Sequence, residues 1–362
     1  MSHSQPRLLL VGNFLSASLS ARSVSEDLAS RLVANGWDVQ VTSTRLARLP
    51  RLADFLVTPW RSRRSYDLAH IDVYSGTAFL WAEAASTVLR AAGKPYILTL
   101  HGGNLPDFAR RWPGRLARLL RPAAAVVAPS RFLAEAVRHL RSDVRLIPNA
   151  LDVADYEFRE RSRPAPHLVW LRSFHDIYNP PLAAEVLARV AAVHPGARLT
   201  MFGRDKGDGS LEATRAAAER LGVGDRVSFP GGIPKSEVPR RLHDGDIFIN
   251  TTNIDNTPVS VLEAMACGLC VVSTSVGGIP YMLHDGVDSL LVPRGDADAM
   301  AAAVLRLVDD PDLSARISRA GRHAVEGLDW QPVLEQWKEL FTTVAARNGA
   351  LGPTMIAQRR RG

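Results

Sequence analysis

Cysteine is almost missing: the 362 residues hold two, Cys267 and Cys270. That excludes a disulfide scaffold and fits a reducing compartment. Lysine is nearly as scarce, with 4 against 40 arginines. No apolar run approaches the roughly 18 residues that a membrane-spanning helix needs. The longest, around Pro122–Ala128 and Leu269–Val272, are strand-sized. The Gly-x-Gly-x-x-Gly turn of a nicotinamide-binding domain is also absent. The first apolar stretch runs instead into Gly12-Asn13-Phe14-Leu15-Ser16, so a dehydrogenase lacks its main signal. Arg7 before Leu8-Leu9-Leu10-Val11, with Ala17 and Ala21 beyond, has the outline of a secretion signal. Its apolar part is about four residues long, where such signals use roughly 7–15. It reads better as a first β-strand, and a cytoplasmic chain is expected.

At roughly 150 residues per domain the length predicts two domains. The chain is 46% hydrophobic and 22% charged, a globular composition. Net charge is +7, unevenly placed: residues 1–150 carry 20 basic and 10 acidic side chains, the remainder 24 and 27. A basic first half points to a polyanionic surface as partner, nucleic acid or anionic membrane. An arginine-rich composition spread over any surface explains it equally well.

Strands and helices alternate. Apolar stretches at Arg7–Val11, Asp38–Thr42, Leu68–Val73, Tyr96–Leu100, Ala124–Ala128 and Val144–Ile147 predict one set of strands. His167–Leu171, Arg198–Phe202, Val227–Phe229, Ile247–Asn250 and Cys270–Ser273 predict a second. Helical spacing lies between nearly all of them, as in Glu26–Asn35, Gly76–Ala92, Arg131–Leu140, Pro181–Ala192, Ser210–Leu221, Lys235–His243 and Pro258–Cys267. Such alternation means parallel sheets covered on both faces. The stretch Tyr156–Pro166 is charged, Pro-rich and aperiodic, and reads as a linker. The expectation is an α/β chain of two doubly wound, Rossmann-like domains, residues 1–160 and 161–330. The helix 331–347 would rejoin the first domain and 349–362 would form a frayed tail. A ligand is expected at the carboxyl ends of the strands, between the domains.

The stretch 250–280 is the most informative. Strand Ile247–Asn250 leads to Asp255-Asn256-Thr257-Pro258-Val259-Ser260-Val261-Leu262-Glu263. Asn256 or Thr257 suits a helix N-cap, and Pro258 the first helical position. The amides of Val259 and Ser260 then form a helix amino terminus that can bind phosphate. Glu263 follows about a turn and a half inside, and a carboxylate there can take two vicinal hydroxyls at once. Together they describe a nucleoside diphosphate site. The glycine turn Ser275-Val276-Gly277-Gly278-Ile279-Pro280 could bring further amides to it.

The run from Asp255 to Pro293, with Val261-Leu262-Glu263-Ala264-Met265-Ala266-Cys267-Gly268, Val276-Gly277-Gly278-Ile279-Pro280 and Leu290-Leu291-Val292-Pro293, closely resembles family 4 retaining glycosyltransferases of the GT-B fold. His101-Gly102-Gly103, Pro129-Ser130, Ile147-Pro148-Asn149-Ala150-Leu151-Asp152 and Leu171-Arg172 extend the resemblance over nearly the whole chain. It implies two Rossmann-like domains facing across a cleft. The family's two glutamates, seven residues apart, map to Asp255 on the donor sugar and Glu263 on the ribose. Asp255 departs from the pattern by one methylene. The family's arginine on the diphosphate maps to Arg172. Its companion lysine falls at Ile177 or Tyr178, neither of which is basic, so Lys206 or Arg204 would have to stand in. The histidine near the reacting sugar maps to His101. Gly12, Asn13, Thr257, Val259 and Ser260 complete the expected donor contacts.

Other signals are weaker. Cys267-x-x-Cys270 lacks further zinc ligands and ends a helix instead of starting one. Asp244-Gly-Asp246 and Asp296-Ala-Asp298 imitate a metal-binding Asp-x-Asp, but the first precedes a strand and the second suits a helix cap. His243, His284 and His323 read as surface residues. No metal or other cofactor is expected. Arginines 45–64 interleave with Leu46, Leu49, Leu52, Phe55, Leu56 and Trp60, and 108–121 mix arginine, leucine and aromatics; both read as interfacial segments on anionic lipid. No recognition fold accompanies the charge, so nucleic acid is not expected. The sequence thus points to a metal-independent hexosyl transfer from a nucleoside diphosphate sugar. The expected acceptor is lipid-linked sugar or surface polysaccharide at the inner face of the membrane. A degenerate transferase that only binds nucleotide sugar, or an epimerase on the same fold, are the alternatives.

Overall fold

The computed structural model describes residues 5–12, 14, 23–45 and 47–349. The chain divides after Asn149 and again after Trp330, so that the last helix returns to the first unit.

The first unit begins with β1 (Leu8–Val11), α1 (Val24–Ala34), β2 (Val39–Thr42), α2 (Arg48–Arg61) and β3 (Leu68–Val73). It continues through α3 (Phe79–Ala91), β4 (Tyr96–Leu100), α4 (Leu105–Arg111), α5 (Pro113–Leu120), β5 (Ala125–Ala128), α6 (Arg131–Val137) and β6 (Arg145–Leu146). Its strands are all parallel, in the order β2-β1-β3-β4-β5-β6. Local chemistry starts the helices where the sequence indicates. Ser23 and Glu26 form a reciprocal capping box on α1, with Glu26 N–H donating to Ser23 Oγ at 3.2 Å and Ser23 N–H to Glu26 Oε2 at 2.7 Å. Gly36, at φ 79°, ends the same helix in the left-handed region.

The second unit runs β7 (His167–Leu171), α7 (Pro180–Val193), β8 (Arg198–Phe202), α8 (Ser210–Arg220), β9 (Val227–Gly231), α9 (Val238–Leu242) and β10 (Ile247–Asn250). It closes with α10 (Val259–Ala266), β11 (Cys270–Thr274), β12 (Leu290–Val292), α11 (Ala297–Asp309) and α12 (Pro311–Glu326). Its sheet is again parallel, ordered β12-β11-β10-β7-β8-β9. Alternate residues serve opposite faces, as the period of a strand requires. Leu168 and Trp170 join the core with Leu187, Ile249 and Val272, while Val169 joins Phe248, Val271 and Met265 on the other side. Fully burying such a side chain contributes about 1.5–3 kcal/mol, which makes these two layers the main source of the unit's stability.

The last helix, α13 (Trp330–Gly349), packs on the first unit. Trp337 and Phe341 meet the ring of His70 edge-on at 5.4 and 6.3 Å, and Lys338 Nζ donates to Asn35 Oδ1 at 2.8 Å. The expected tail lies, apart from Gly349, outside the described residues.

One expectation fails here. Tyr156–Pro166, though exposed at 157–160, 162 and 163, is no free linker: buried Tyr156, Arg161 and Pro164 hold it to the second unit as a strap. Arg161 is buried, and its guanidinium donates to the carbonyls of Arg159, Cys267 and Gly245 and to Asp246. Arginine carries five N–H donors, so enough carbonyls can satisfy it in the interior. Burial still works against its charge.

Candidate functional site

In a doubly wound sheet, ligands bind beyond the carboxyl ends of the strands where the strand order reverses. In the second unit that point lies between β7 and β10. Arg172 follows β7 directly, and the loop from Thr251 to Pro258 follows β10. The loop is laced to the turn at 176–178. Thr251 Oγ1 accepts from Trp170 Nε1 at 2.9 Å and donates to the Tyr178 carbonyl at 2.7 Å, and Asn253 N–H donates to the Ile177 carbonyl at 2.7 Å. Arg172 and Asp255, both largely buried, thereby meet as an ion pair. The guanidinium also lies 4.1 Å over the ring of Tyr178. Glycine is required behind both partners: a Cβ at Gly203 would strike the Arg172 carbonyl, and one at Gly277 the Asp255 carbonyl. The glycine turn therefore serves packing. Gly278 N–H donates to the Asp255 carbonyl at 2.8 Å, so this one amide of the turn is already taken.

Helix α10 starts one residue later than expected. Pro258 is its N-cap, and no side chain caps it. Neither Asn256 nor Thr257 fills that role, because proline's fixed φ already sets the entry of the chain. The amides of Val259 and Ser260 take no hydrogen bond among the described residues. Buried Thr257 Oγ1, Ser260 Oγ and Arg172 Nε also lack partners. Buried polar groups are nearly always bonded, so a cluster of orphans at one helix terminus marks a place for a polar ligand. Glu263 is buried on the same helix, and its Oε1 accepts from the phenol of Tyr156 at 2.9 Å. Burial raises the pKa of Glu263, against the hydrogen bond from Tyr156 and the charges of Lys235 and Arg172. Burial and the charge of Glu263 together raise that of Tyr156.

The first unit holds a second constellation at its own switch point, between β1 and β3. His101 follows β4, and its Nε2 lies 3.1 Å from Oδ1 of Asp72. The other oxygen of Asp72 accepts from Ser25 Oγ at 2.6 Å. Burial pushes the Asp72 carboxyl up, but His101 and these hydrogen bonds outweigh it and hold it below the usual carboxylate range. The ring of Tyr74 stacks on His101 at 4.8 Å. Gly12 packs against Asp72, where a Cβ would crowd the carboxylate, and its amide donates to the Thr42 carbonyl at 2.7 Å. Asn13 lies outside the described residues.

Arg172, Asp255, Thr257, Val259, Ser260 and Glu263 are thus brought together in one unit, and Gly12 and His101 in the other. Lys206 is exposed; its loop runs beside Phe174, whose carbonyl accepts from Lys206 N–H at 3.2 Å. Sequence reasoning missed Tyr156, Lys235 and Asp72. Tyr156 sits in a stretch whose composition suggested solvent; Lys235, one of only 4 lysines, carried a signal of rarity alone. The remaining motifs find structural roles. Burial pushes both thiols, Cys267 and Cys270, up to about 12. Asp246 is held by Arg159 and Arg161, and Asp296 caps α11. Among the described residues no three His, Cys, Asp or Glu side chains gather as a metal site. His243 is not a surface residue as expected: it is half-buried beside Arg161 and Arg159, with its pKa lowered by burial.

The two basic segments differ. In 108–121 the leucines 116, 119 and 120 are buried in their own unit, and Arg115 pairs with Glu83, so this segment cannot insert its apolar side into lipid. Helix α2 does expose Leu49, Leu56, Val57 and Trp60.

Residues 165–310 match the family model described as glycosyl transferases group 1, and residues 21–155 match glycosyltransferase family 4. The chain belongs to these glycosyltransferases. The fold of this glycosyltransferase is GT-B: its two parallel sheets match sucrose-phosphate synthase from Thermosynechococcus elongatus at a TM-score of 0.80 and 18% identity, over 95% of this chain and 100% of that one. The Anabaena protein HepE, solved with UDP and glucose, matches at 0.76 and 17%, over 93% and 100%. Among curated relatives, the D-inositol 3-phosphate glycosyltransferase of Segniliparus rotundus is 29% identical over 176 residues, 48% of this chain and 39% of that protein. The chain therefore spans well under half the length of that relative. No helix among the described residues is long and apolar enough to cross a membrane.

Proposed function

We propose that the protein transfers a sugar, with retention of anomeric configuration, from a nucleoside diphosphate sugar to a lipid-linked sugar or growing surface polysaccharide. One observation carries the reading: Arg172, Asp255, Glu263 and the orphaned polar groups of Thr257 and Ser260 converge on the uncapped start of α10. The diphosphate would lie on those amides, with Arg172 beside it, and the ribose hydroxyls on Glu263. As the glycosidic bond breaks, charge grows on the departing phosphate. Preorganised amides and Arg172 bind that charge better than the ground state, and so lower the barrier without a metal. Asp255 is paired with Arg172. The incoming diphosphate would then compete for the guanidinium and free the carboxylate for the donor sugar. The family's role of a histidine near the reacting sugar would fall to His101, which Asp72 orients within the first unit.

The place of work is proposed as the inner face of the cell membrane. On α2 the exposed Leu49, Leu56 and Trp60 fall on one stripe, with Arg61 and Arg64 exposed at its carboxyl end. That arrangement suits an anionic bilayer surface.

Thermal unfolding with UDP-, GDP- and ADP-sugars tests the reading, since ligand at 100 times its dissociation constant adds about 2.7 kcal/mol. One nucleotide class should stabilise the chain, and donor turnover should give a product of unchanged anomeric configuration by NMR. No stabilisation by any class, or an inverted product, would refute it.

A further inference from the structure

We propose that Tyr156 is a positioning residue of the nucleotide-sugar site, holding one oxygen of Glu263 so that the other meets the sugar hydroxyls of the donor. The proposal deepens the function just given and rests on it. Tyr156 lies in the aperiodic strap, yet it is buried, and its phenol donates to Glu263 Oε1 at 2.9 Å. The strap is pinned at this residue. Arg322 Nη1, from α12, donates to the carbonyl of Tyr156 at 2.9 Å and to that of Ala266, in the last turn of α10, at 2.8 Å. One guanidinium thus ties the phenol to the helix that carries Glu263. Tyr156 belongs to the same buried apolar cluster as Leu151, Val153 and Val261 and is itself 4% exposed, so little water reaches it.

This geometry divides the carboxylate. Oε1 is taken by Tyr156, and no described residue donates to Oε2. A ribose diol binds a carboxylate by donating both hydroxyls, so the group must be ionised and must not turn. The phenol supplies both conditions, because a hydrogen bond to a carboxylate favours its charged form and fixes its plane. The groups that act on Glu263 are Tyr156 from the strap, Lys235 from the turn before α9, Arg172 after β7, and Cys267 at the end of its own helix. Burial opposes ionisation, and Tyr156 is the largest of the influences that restore it. Removing the hydroxyl should therefore weaken the nucleotide, and weaken it more as the pH falls.

The experiment is calorimetric titration of the full chain with UDP, with GDP and ADP in parallel, from pH 5 to pH 8. Wild type, Tyr156→Phe, Glu263→Gln and the double variant are compared. Phenylalanine keeps the packing and removes one oxygen. Tyr156→Phe should weaken the preferred nucleotide about three- to tenfold at pH 8, the scale of one hydrogen bond to a charged group. Its acid fall-off should begin about half to one pH unit higher, since tenfold in affinity corresponds to one unit. Glu263→Gln should lose the fall-off, and the double variant should bind no worse than Glu263→Gln. Unchanged affinity and pH profile in Tyr156→Phe overturn the proposal. So do losses that add in the double variant, because Tyr156 would then act by another route. If Tyr156→Phe does not fold, Arg322→Gln, which unpins the carbonyl of Tyr156, is read instead: a fall-off moved to higher pH supports the proposal, and an unchanged profile overturns it. A folded wild type that binds none of the three nucleotides instead overturns the transferase reading itself.

Discussion

The guanidinium of Arg172 rests 4.1 Å over the ring of Tyr178, one of the two positions, with Ile177, where the family pattern leads one to expect a second cation. The face of an aromatic ring carries negative charge density and attracts a cation, most strongly when both are shielded from water. Tyr178 therefore brings no charge to a phosphate, but it gives the remaining cation a fixed seat. Asp255 completes that seat from the side.

Arg172 should consequently carry more of the catalysis than one of two cations would. Removing a single preorganised donor of this kind costs about 10²–10³ in turnover, and Arg172→Ala should fall at the upper end. Arg172→Lys should recover only part of it, because an ammonium lacks the planar fork that grips two oxygens. Tyr178→Phe should be nearly silent, while Tyr178→Ala should lose roughly three- to thirtyfold, the range of one cation–π contact. Steady-state kinetics on the four variants checks this. If Lys206→Ala abolishes turnover while Arg172→Ala keeps most of it, the diphosphate is held by the 203–207 loop instead.

Much of this site was legible in the sequence, for a physical reason. Strands buried on both faces are unbroken apolar stretches, and helices between them show their period, so both sheets and most connections could be read directly. Loops that follow such strands are then placed at one end of the sheet, which brings Arg172 and Asp255 together without further information. Tyr156 and Arg161 were not legible. Charge and proline in 156–166 describe an exposed segment on average, and only tertiary structure reveals the carbonyls that satisfy Arg161 or the carboxylate that receives the phenol. Asp72 was hidden differently: a polar residue inside a buried strand gives no hint that His101, 29 residues away, will pair with it. The leucines of 108–121 misled because an amphipathic helix looks alike whether its apolar side meets lipid or its own core.

The backbone behind Arg172 admits no side chain at Gly203. Gly203→Ala would drive a methyl into the Arg172 carbonyl and shift the end of β7 or β8. Such overpacking costs about 1–3 kcal/mol, so the unfolding temperature should drop and nucleotide binding should weaken with it. Gly114→Ala, where an added Cβ meets no atom within 4 Å, is the control and should leave both unchanged.

Acid should destabilise the first unit through His70. Burial lowers its pKa to about 4, so the folded chain keeps it neutral where the unfolded chain takes a proton. Stability is therefore complete above the unfolded value near 6.5 and is lost as the pH falls toward 4, at up to about 1.4 kcal/mol per unit. Asp72 favours a proton on the ring and His101 opposes it. Urea denaturation at pH 7.5, 6 and 4.5 should show a shallower loss in His70→Gln than in wild type. Parallel lines for the two proteins would mean that other groups set the acid limit.

Turnover should survive a chelator. The carboxylates that imitate a metal motif are committed elsewhere, with Asp246 held by two arginines and Asp298 paired with Arg189. In the proposed site, positive charge at the diphosphate would come from Arg172 and the start of α10. Activity in EDTA should match that in Mg²⁺ or Mn²⁺; loss in EDTA with recovery on adding either ion would mean that a cation takes part.

Binding to anionic lipid should depend on α2 and not on 108–121. The two segments have similar composition, but 108–121 exposes only Trp112 among its large apolar side chains, whereas α2 exposes Leu49, Leu56 and Trp60 on one stripe. Leu116, Leu119 and Leu120 are already in the core. Attraction to an anionic surface should supply about 1 kcal/mol per arginine, and the stripe adds apolar burial once the helix arrives. Flotation with phosphatidylglycerol vesicles should therefore be strong at low salt. It should weaken at 1 M, where screening shortens to about 3 Å. Leu56→Ser with Trp60→Ser should reduce binding at both salt levels, because the apolar contribution is not screened. Arg61→Gln with Arg64→Gln should reduce it mainly at low salt. Arg110→Gln with Arg111→Gln should change little, since no apolar stripe stands beside them to follow the charge into the surface. Equal flotation with phosphatidylcholine and phosphatidylglycerol would remove the electrostatic part of the proposal. Loss of binding in the 110/111 variant alone would place the membrane contact on α4 instead.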